Sequence, residues 1–193
     1  MNIGDKIKYK GFEWLVLDLD GDKVTVIMTN FWKTMPFSSE NRNGWKESDI
    51  RKALQEDLLP ALGEENLITH VTDLVADNGD RRYGTCEDKV WLLSCDEYRK
   101  YREAILQGFN FDDEWMWTVT PWYINDVGHG ISVRGIHPSG TVSHIYAGYS
   151  SGVAPACTIN LASLESAPTG AIQKEIDELK TRLKKLEESL GGK

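Results

Sequence analysis

The 193-residue chain is 40% hydrophobic and 10% aromatic, with seven Trp, seven Tyr and five Phe, more ring surface than an unfolded chain can leave in water. That length can bury one sizeable core, and there is no run of about 18 apolar residues to span a bilayer. Thirty Asp and Glu against 22 Lys and Arg give a formal charge of −8, the wrong sign for a binder of phosphate backbones. Neither nucleic acid nor membrane insertion is expected.

Met1 to Asp5 lead straight into patterned sequence, without the apolar segment and cleavage site of a secretory signal. The expectation is a cytoplasmic protein, or one that leaves the cell by lysis or assembly. Cys86, Cys95 and Cys157 are too few and too scattered for a disulfide framework, and no CxxC spacing suggests zinc. Reduced, buried thiols are expected.

Residues 6–31 read as a hairpin, because two apolar runs flank Asp20-Gly21, a strong turn signal. From 47 to 62, Ile50, Leu54, Leu58 and Leu62 fall at helical spacing, with Ser48 available as N-cap and Gly63 beyond the end. The segment 77–85 is polar and turn-rich and is read as a surface loop without chemistry. Lys89 to Leu93 form a short buried strand. Ser94 and Glu97 make a capping box for a helix over 95–107. Strands follow at 115–119, 131–137, 141–147 and 153–161, with Pro138-Ser139-Gly140 as a three-residue turn.

The periodicity stops near Leu164. Pro168 and Gly170 mark 165–171 as a linker after a domain of residues 1–164. Beyond it Ile172, Ile176, Leu179, Leu183, Leu186 and Leu190 recur alternately at four and three residues, the seam of a coiled-coil helix over 172–190. Glu175 with Lys180, and Arg182 with Glu187, flank that seam with opposite signs across a parallel interface. A homo-oligomer is expected, dimer and trimer both remaining open.

Enzyme signatures are missing: there is no P-loop, no GxGxxG after a strand, no HExxH, no GxSxG and no SxxK. His129, His137 and His144 cluster, but their spacings match no standard metal pattern. No cofactor or metal is therefore expected. The acidic stretch Asp112-Asp113-Glu114 reads as a solvated loop. More informative is the segment Tyr123–Ser151. Of its 29 residues, 17 are Tyr, Ser, Gly, His or Asn, and only Asp126 and Arg134 are charged. Antibody paratopes use that mixture, since Tyr offers rigid amphipathic area and Ser, Gly and Asn offer adaptable hydrogen bonds.

Three blocks in order, Gly11-Phe12-Glu13-Trp14-Leu15-Val16-Leu17, Trp45-x-x-Ser48-x-Ile50-Arg51-x-x-Leu54 and Thr85-x-x-Asp88-Lys89-Val90-Trp91-Leu92-Leu93-Ser94-x-x-Glu97, carry a family resemblance. They are followed by Trp115-Met116-Trp117-Thr118-Val119-Thr120-Pro121 and Gly152-Val153-Ala154-Pro155-Ala156. The order resembles an uncharacterised domain family of phage and bacterial surface proteins, with Ala154 departing from that family's usual Arg. Over roughly residues 10–161 the resemblance implies an α+β, C-type-lectin-like domain, related to formylglycine-generating enzymes, with two helices and twisted antiparallel sheets. It also implies the variable proteins of diversity-generating retroelements. The enzyme branch needs two neighbouring active-site cysteines, and Cys157 has none nearby in sequence. The lectin branch's Glu-Pro-Asn and Gln-Pro-Asp triplets are missing too.

The resemblance makes the chain a non-enzymatic ligand-binding protein of a phage virion or displayed surface, recognising a protein or glycan on a cell. Its expected display residues are Tyr123, Ile124, Asn125, His129, Ser132, Arg134, His137, Ser143, His144, Tyr146, Tyr149 and Ser151, with Trp115, Trp117 and Trp122 packed beneath them. The alternative is a fixed-specificity, calcium-assisted carbohydrate-binding module around Trp117, Trp122, Asn125 and Asp126.

Overall fold

The chain divides into one unit of residues Met1–Asn160 and a second of residues Leu161–Lys193. The computed structural model describes residues 1–125, 128, 130–164 and 180. In the second unit residues 161–164 and Lys180 are helical. The coiled-coil positions Ile172, Ile176, Leu179, Leu183, Leu186 and Leu190 lie outside the described residues, as does His129.

The first unit is a mixed α+β domain built on two main sheets. It opens with β1 (Lys6–Tyr9), β2 (Phe12–Asp20) and β3 (Lys23–Met28). Lys10 and Gly11 both take positive φ, the conformation of a two-residue hairpin turn whose twist matches its strands. At the next turn Asp20 faces Lys23 across Gly21 at φ +58°. The hairpin expected over 6–31 is therefore present, as three strands joined by two tight turns.

After β4 (Lys33–Pro36), one helical stretch runs as α1 (Asp49–Ala53), a π-helical turn (Leu54–Leu58) and α2 (Leu59–Leu62). Ser48 caps it by accepting from the Arg51 N–H. The apolar spacing had indicated a regular helix here; the wider turn still buries Ile50, Leu54, Leu58 and Leu62. Next come β5 (Leu67–Ile68), β6 (His70–Asp73), β7 (Thr85–Asp88) and β8 (Val90–Trp91). The helix α3 (Cys95–Gly108) begins at the Ser94–Glu97 capping box, with both reciprocal bonds formed.

The remaining strands are β9 (Met116–Pro121), β10 (Ser132–Ile136), β11 (Val142–Tyr146), β12 (Ser150–Val153) and β13 (Ala156–Asn160). The single strand expected over 153–161 is in fact split. Ala154-Pro155 carries the chain from β12, in the sheet ordered β11-β10-β9-β12-β4, to β13, in the sheet ordered β1-β2-β3-β13-β5. Proline has no N–H to continue a ladder, while its carbonyl accepts from the Met28 N–H at 3.0 Å.

The core collects Trp14, Trp45, Trp91, Trp117, Tyr98 and Phe37, all fully buried. A carboxylate is buried with them and paired to a half-buried guanidinium: Asp88 accepts from the Trp45 indole at 2.8 Å and from Arg51 at 2.9 Å. That carboxylate holds the Arg51 guanidinium above its usual range. The three cysteines are free and buried, as expected, and burial raises all three thiols. Tyr98 of α3 donates to the Gly140 carbonyl at 2.9 Å and so ties the helix to the β10–β11 turn. Gly140 is at φ +82°, and a Cβ there would meet Leu106 and Arg102 at 2.9 Å.

Candidate ligand-recognition surface

The segment from Trp122 to Ser151 lies over two polar loops that hold it mainly by its backbone. Asn43 is fully buried. Its amide nitrogen donates to the carbonyls of Tyr123 at 2.8 Å and Ser132 at 2.9 Å. Its amide oxygen accepts from the Tyr83 hydroxyl at 2.7 Å and the Gly130 N–H at 2.9 Å. Every donor and lone pair of the side chain is thereby used.

Around this clamp Arg82 donates to the carbonyls of Ile124 at 3.0 Å and Asn125 at 2.9 Å. Asn41 accepts from the Gly148 N–H at 2.9 Å, and the Ser38 N–H donates to the Ala147 carbonyl at 3.0 Å. Gly130 has to be glycine, since a Cβ would run into the Tyr123 carbonyl and the Asn43 amide. At the other positions gripped, the support meets atoms common to almost every residue type. Sequence reading had assigned no chemistry to 77–85 and had passed over Asn43. The clustered Asn41-Arg42-Asn43-Gly44 was the available signal, since Asn readily bonds backbone in turns.

Above the clamp the side chains form two aromatic groups. His144 stacks on Trp122 with centroids 3.9 Å apart, Tyr123 meets the same indole edge-on at 5.5 Å, and the Arg134 guanidinium lies 5.8 Å from its centre. Tyr146 and Tyr149 meet edge-on at 5.5 Å and are 45% and 63% exposed. Arg134 pairs with Asp77, which belongs to the same 77–85 loop as Arg82 and Tyr83.

Several expected positions need correction. Ile124, Ser132 and Ser151 are buried, because the sheet covers them, so they are not display residues. Ser143 is half-buried and by strand alternation points to the face opposite His144. His137 sits in the β10–β11 turn against Trp115 and away from the Trp122 stack, its Nδ1 2.8 Å from the Ser139 hydroxyl. Asn125 is half-buried, its carbonyl held by Arg82. Of the tryptophans, Trp117 is core and donates to the Met35 carbonyl at 3.0 Å. Trp122 is half-buried and belongs to the surface itself, and Trp115 is half-buried as well.

A separate cleft of about 470 Å³ lies at the start of α3, lined by His70, Thr72, Asp77, Ser94, Glu97 and Arg99 among others. His70 stacks on Trp91 at 4.0 Å and reaches Glu97 at 3.1 Å. Burial pushes the Glu97 carboxyl up, but hydrogen bonds from His70 and the Ser94 N–H outweigh it and hold the carboxyl below its usual range. Glu97 is thus committed to the helix cap and to His70. Asp73, Asp77 and Asp96 are each paired with arginine, and the Cys95 thiol is buried with its pKa raised. Among the described residues the cleft offers no unpaired carboxylate and no activated nucleophile.

With this geometry in place, the chain is assigned to a family. The model of a domain of unknown function, DUF6273, matches residues 22–161, and the chain belongs to that family. The matched span runs from the β2–β3 turn through the last strand and takes in the clamp and the whole aromatic surface. No curated protein and no solved structure matches the chain.

Proposed function

We propose that this protein is a non-enzymatic, C-type-lectin-like ligand-recognition domain whose half-buried Trp122 and Tyr123 and exposed His144, Tyr146 and Tyr149 contact a macromolecule on a cell surface. One observation carries the reading. Asn43, Arg82, Asn41 and the Ser38 N–H hold the contact segments through carbonyls and N–H groups. Side chains over such a support can change without removing the bonds that position them. This is what a diversified surface of the retroelement type requires. The aromatic rings supply contact area at low entropic cost.

Protein rather than sugar is the favoured target. The Trp122 indole is already stacked by His144, and Trp117, the other expected sugar platform, is buried. On this reading the apolar seam in the sequence of 172–190 gathers several copies, so that modest single-site affinity becomes avidity of about 10² to 10⁴. Attachment of a virion or display on a surface is the setting in which such avidity matters.

The test is a library randomised at Tyr123, Asn125, His144, Tyr146 and Tyr149, displayed and selected against hen lysozyme as an arbitrary protein. The reading expects folded lysozyme binders. It is wrong if the library members unfold, or if folded members never yield a binder. The encoding locus gives a second check. A reverse transcriptase beside an adenine-rich near-copy of codons 123–151 is expected, and its absence removes the retroelement part of the proposal.

A further inference from the structure

Edge strands expose unpaired main-chain groups, and proteins guard them with charge, proline or brevity. Among the described residues the edges here follow that rule at every place but one. β1 carries Lys6 and Lys8, β4 carries Lys33 and Pro36, and β5 and β8 have only two residues each. In the separate two-stranded sheet β6 ends in Asp73 and β7 bears Glu87 and Asp88. The exception is β11, Val142-Ser143-His144-Ile145-Tyr146, at the end of the five-stranded sheet. It has no Lys, Arg, Asp, Glu or Pro, and its register with β10 is unbroken over five pairs.

The ladder fixes which groups are left over. The His137 N–H reaches the Thr141 carbonyl, and the Ala147 N–H reaches the Ile131 carbonyl. Antiparallel alternation then turns the main chain of Ser143 and Ile145 toward β10, and that of Val142, His144 and Tyr146 toward the open edge. Only the Tyr146 carbonyl on that edge has a described partner, the Tyr149 N–H at 2.9 Å.

We propose that β11 pairs edge to edge, antiparallel, with β11 of a second copy of this chain. The strand is complementary to itself about His144: in the reversed copy Val142 meets Tyr146, a favourable β-branched and aromatic pair, and His144 meets His144. Charge selects this edge from the others. In a chain of net charge −8, β11 is where two copies meet without setting like charges opposite each other, whereas a symmetric pair of β1 strands would bring Lys6 and Lys8 of both copies together. Symmetry places the His144 and Tyr146 side chains of both copies on the same face of the joined sheet. On the proposed function, which this consequence alone rests on, two recognition patches then face one target side by side.

The test is sedimentation of the full chain over a dilution series, comparing wild type with Tyr146→Lys, which adds the missing edge charge at an exposed position. Residues 161–193 are identical in both chains, so the ratio of their masses isolates the edge. Wild type is expected to reach twice the mass of the variant, with the variant's edge association weakened at least tenfold. As the native thiols are buried, His144→Cys adds one accessible sulfur at the symmetry centre and is expected to form a disulfide-linked pair under mild oxidation. Ser143→Cys, on the opposite face, is not. Equal masses at every concentration, or equal crosslinking at positions 143 and 144, would overturn the proposal. The lysozyme selection can succeed or fail independently of either result.

Discussion

β13 and β11 each have five residues, and they show two ways a strand can serve this molecule. β13 (Ala-Cys-Thr-Ile-Asn) lies between β3 and β5, also pairs with β8, and buries Ala156, Cys157 and Ile159 completely. β11 (Val-Ser-His-Ile-Tyr) pairs only with β10, and none of its side chains is buried. In β13 both the backbone and the side chains belong to the framework. In β11 the backbone belongs to the framework and most of the side-chain surface is left over. Clamping by main-chain atoms extends that separation to the loops on either side, which on the proposed function is what lets a surface vary without loss of the fold.

The contrast is broken most severely by removing side chains from the framework. Ile159→Ala deletes fully buried methyl groups and is expected to cost about 3 kcal/mol in urea unfolding. Asn43→Ala takes away the described partner of the Tyr123 carbonyl and of the Gly130 N–H, while the Ser132 carbonyl keeps the Trp122 N–H at 3.0 Å, and is expected to cost about 2 to 3 kcal/mol. It should also speed hydrogen exchange at Gly130 while the β13 amides stay protected. If the Gly130 amide is unaffected, the clamp is not what holds the segment.

Acid offers a third handle. The folded-state carboxyl of Glu97 lies below its ordinary value of 4.5. Its contribution is therefore fully present above that pH and is lost as pH falls through the lowered folded value. Glu97→Gln should be less stable than wild type at pH 7, with the gap closing below about pH 4. Chemical denaturation at stepped pH measures it, and a gap that widens in acid would contradict the assignment. The smallest effects belong to β11 and its turn. His144→Ser and Tyr149→Ser are each expected to change stability by no more than about 0.5 kcal/mol.

What could be read from residues alone follows the same division. The β2–β3 hairpin, the Ser48 cap and the Ser94–Glu97 capping box are local signals whose physics is complete within a few residues, and all three are formed. The breaks in regular structure were harder to see. The π-helical turn at Leu54–Leu58 answers to packing, and the split between β12 and β13 answers to which sheet each half joins. At the candidate surface, composition pointed to Tyr123, His144, Tyr146 and Tyr149 but could not say that Ser132 and Ser151 face inward. Burial on a strand depends on which neighbour covers it. The Asn41-Arg42-Asn43-Gly44 cluster signals a turn that bonds backbone, but Asn43 lies 80 residues from Tyr123 in sequence, so which carbonyls it grips is legible only in three dimensions.

The central claim concerns the independence of frame and surface. It is tested most directly by replacing Tyr123, Asn125, His144, Tyr146 and Tyr149 together and following thermal unfolding of the full chain by circular dichroism. The account predicts one cooperative transition within a few degrees of wild type. A drop of about 15 °C or more, or loss of cooperativity, would mean that these side chains hold the fold.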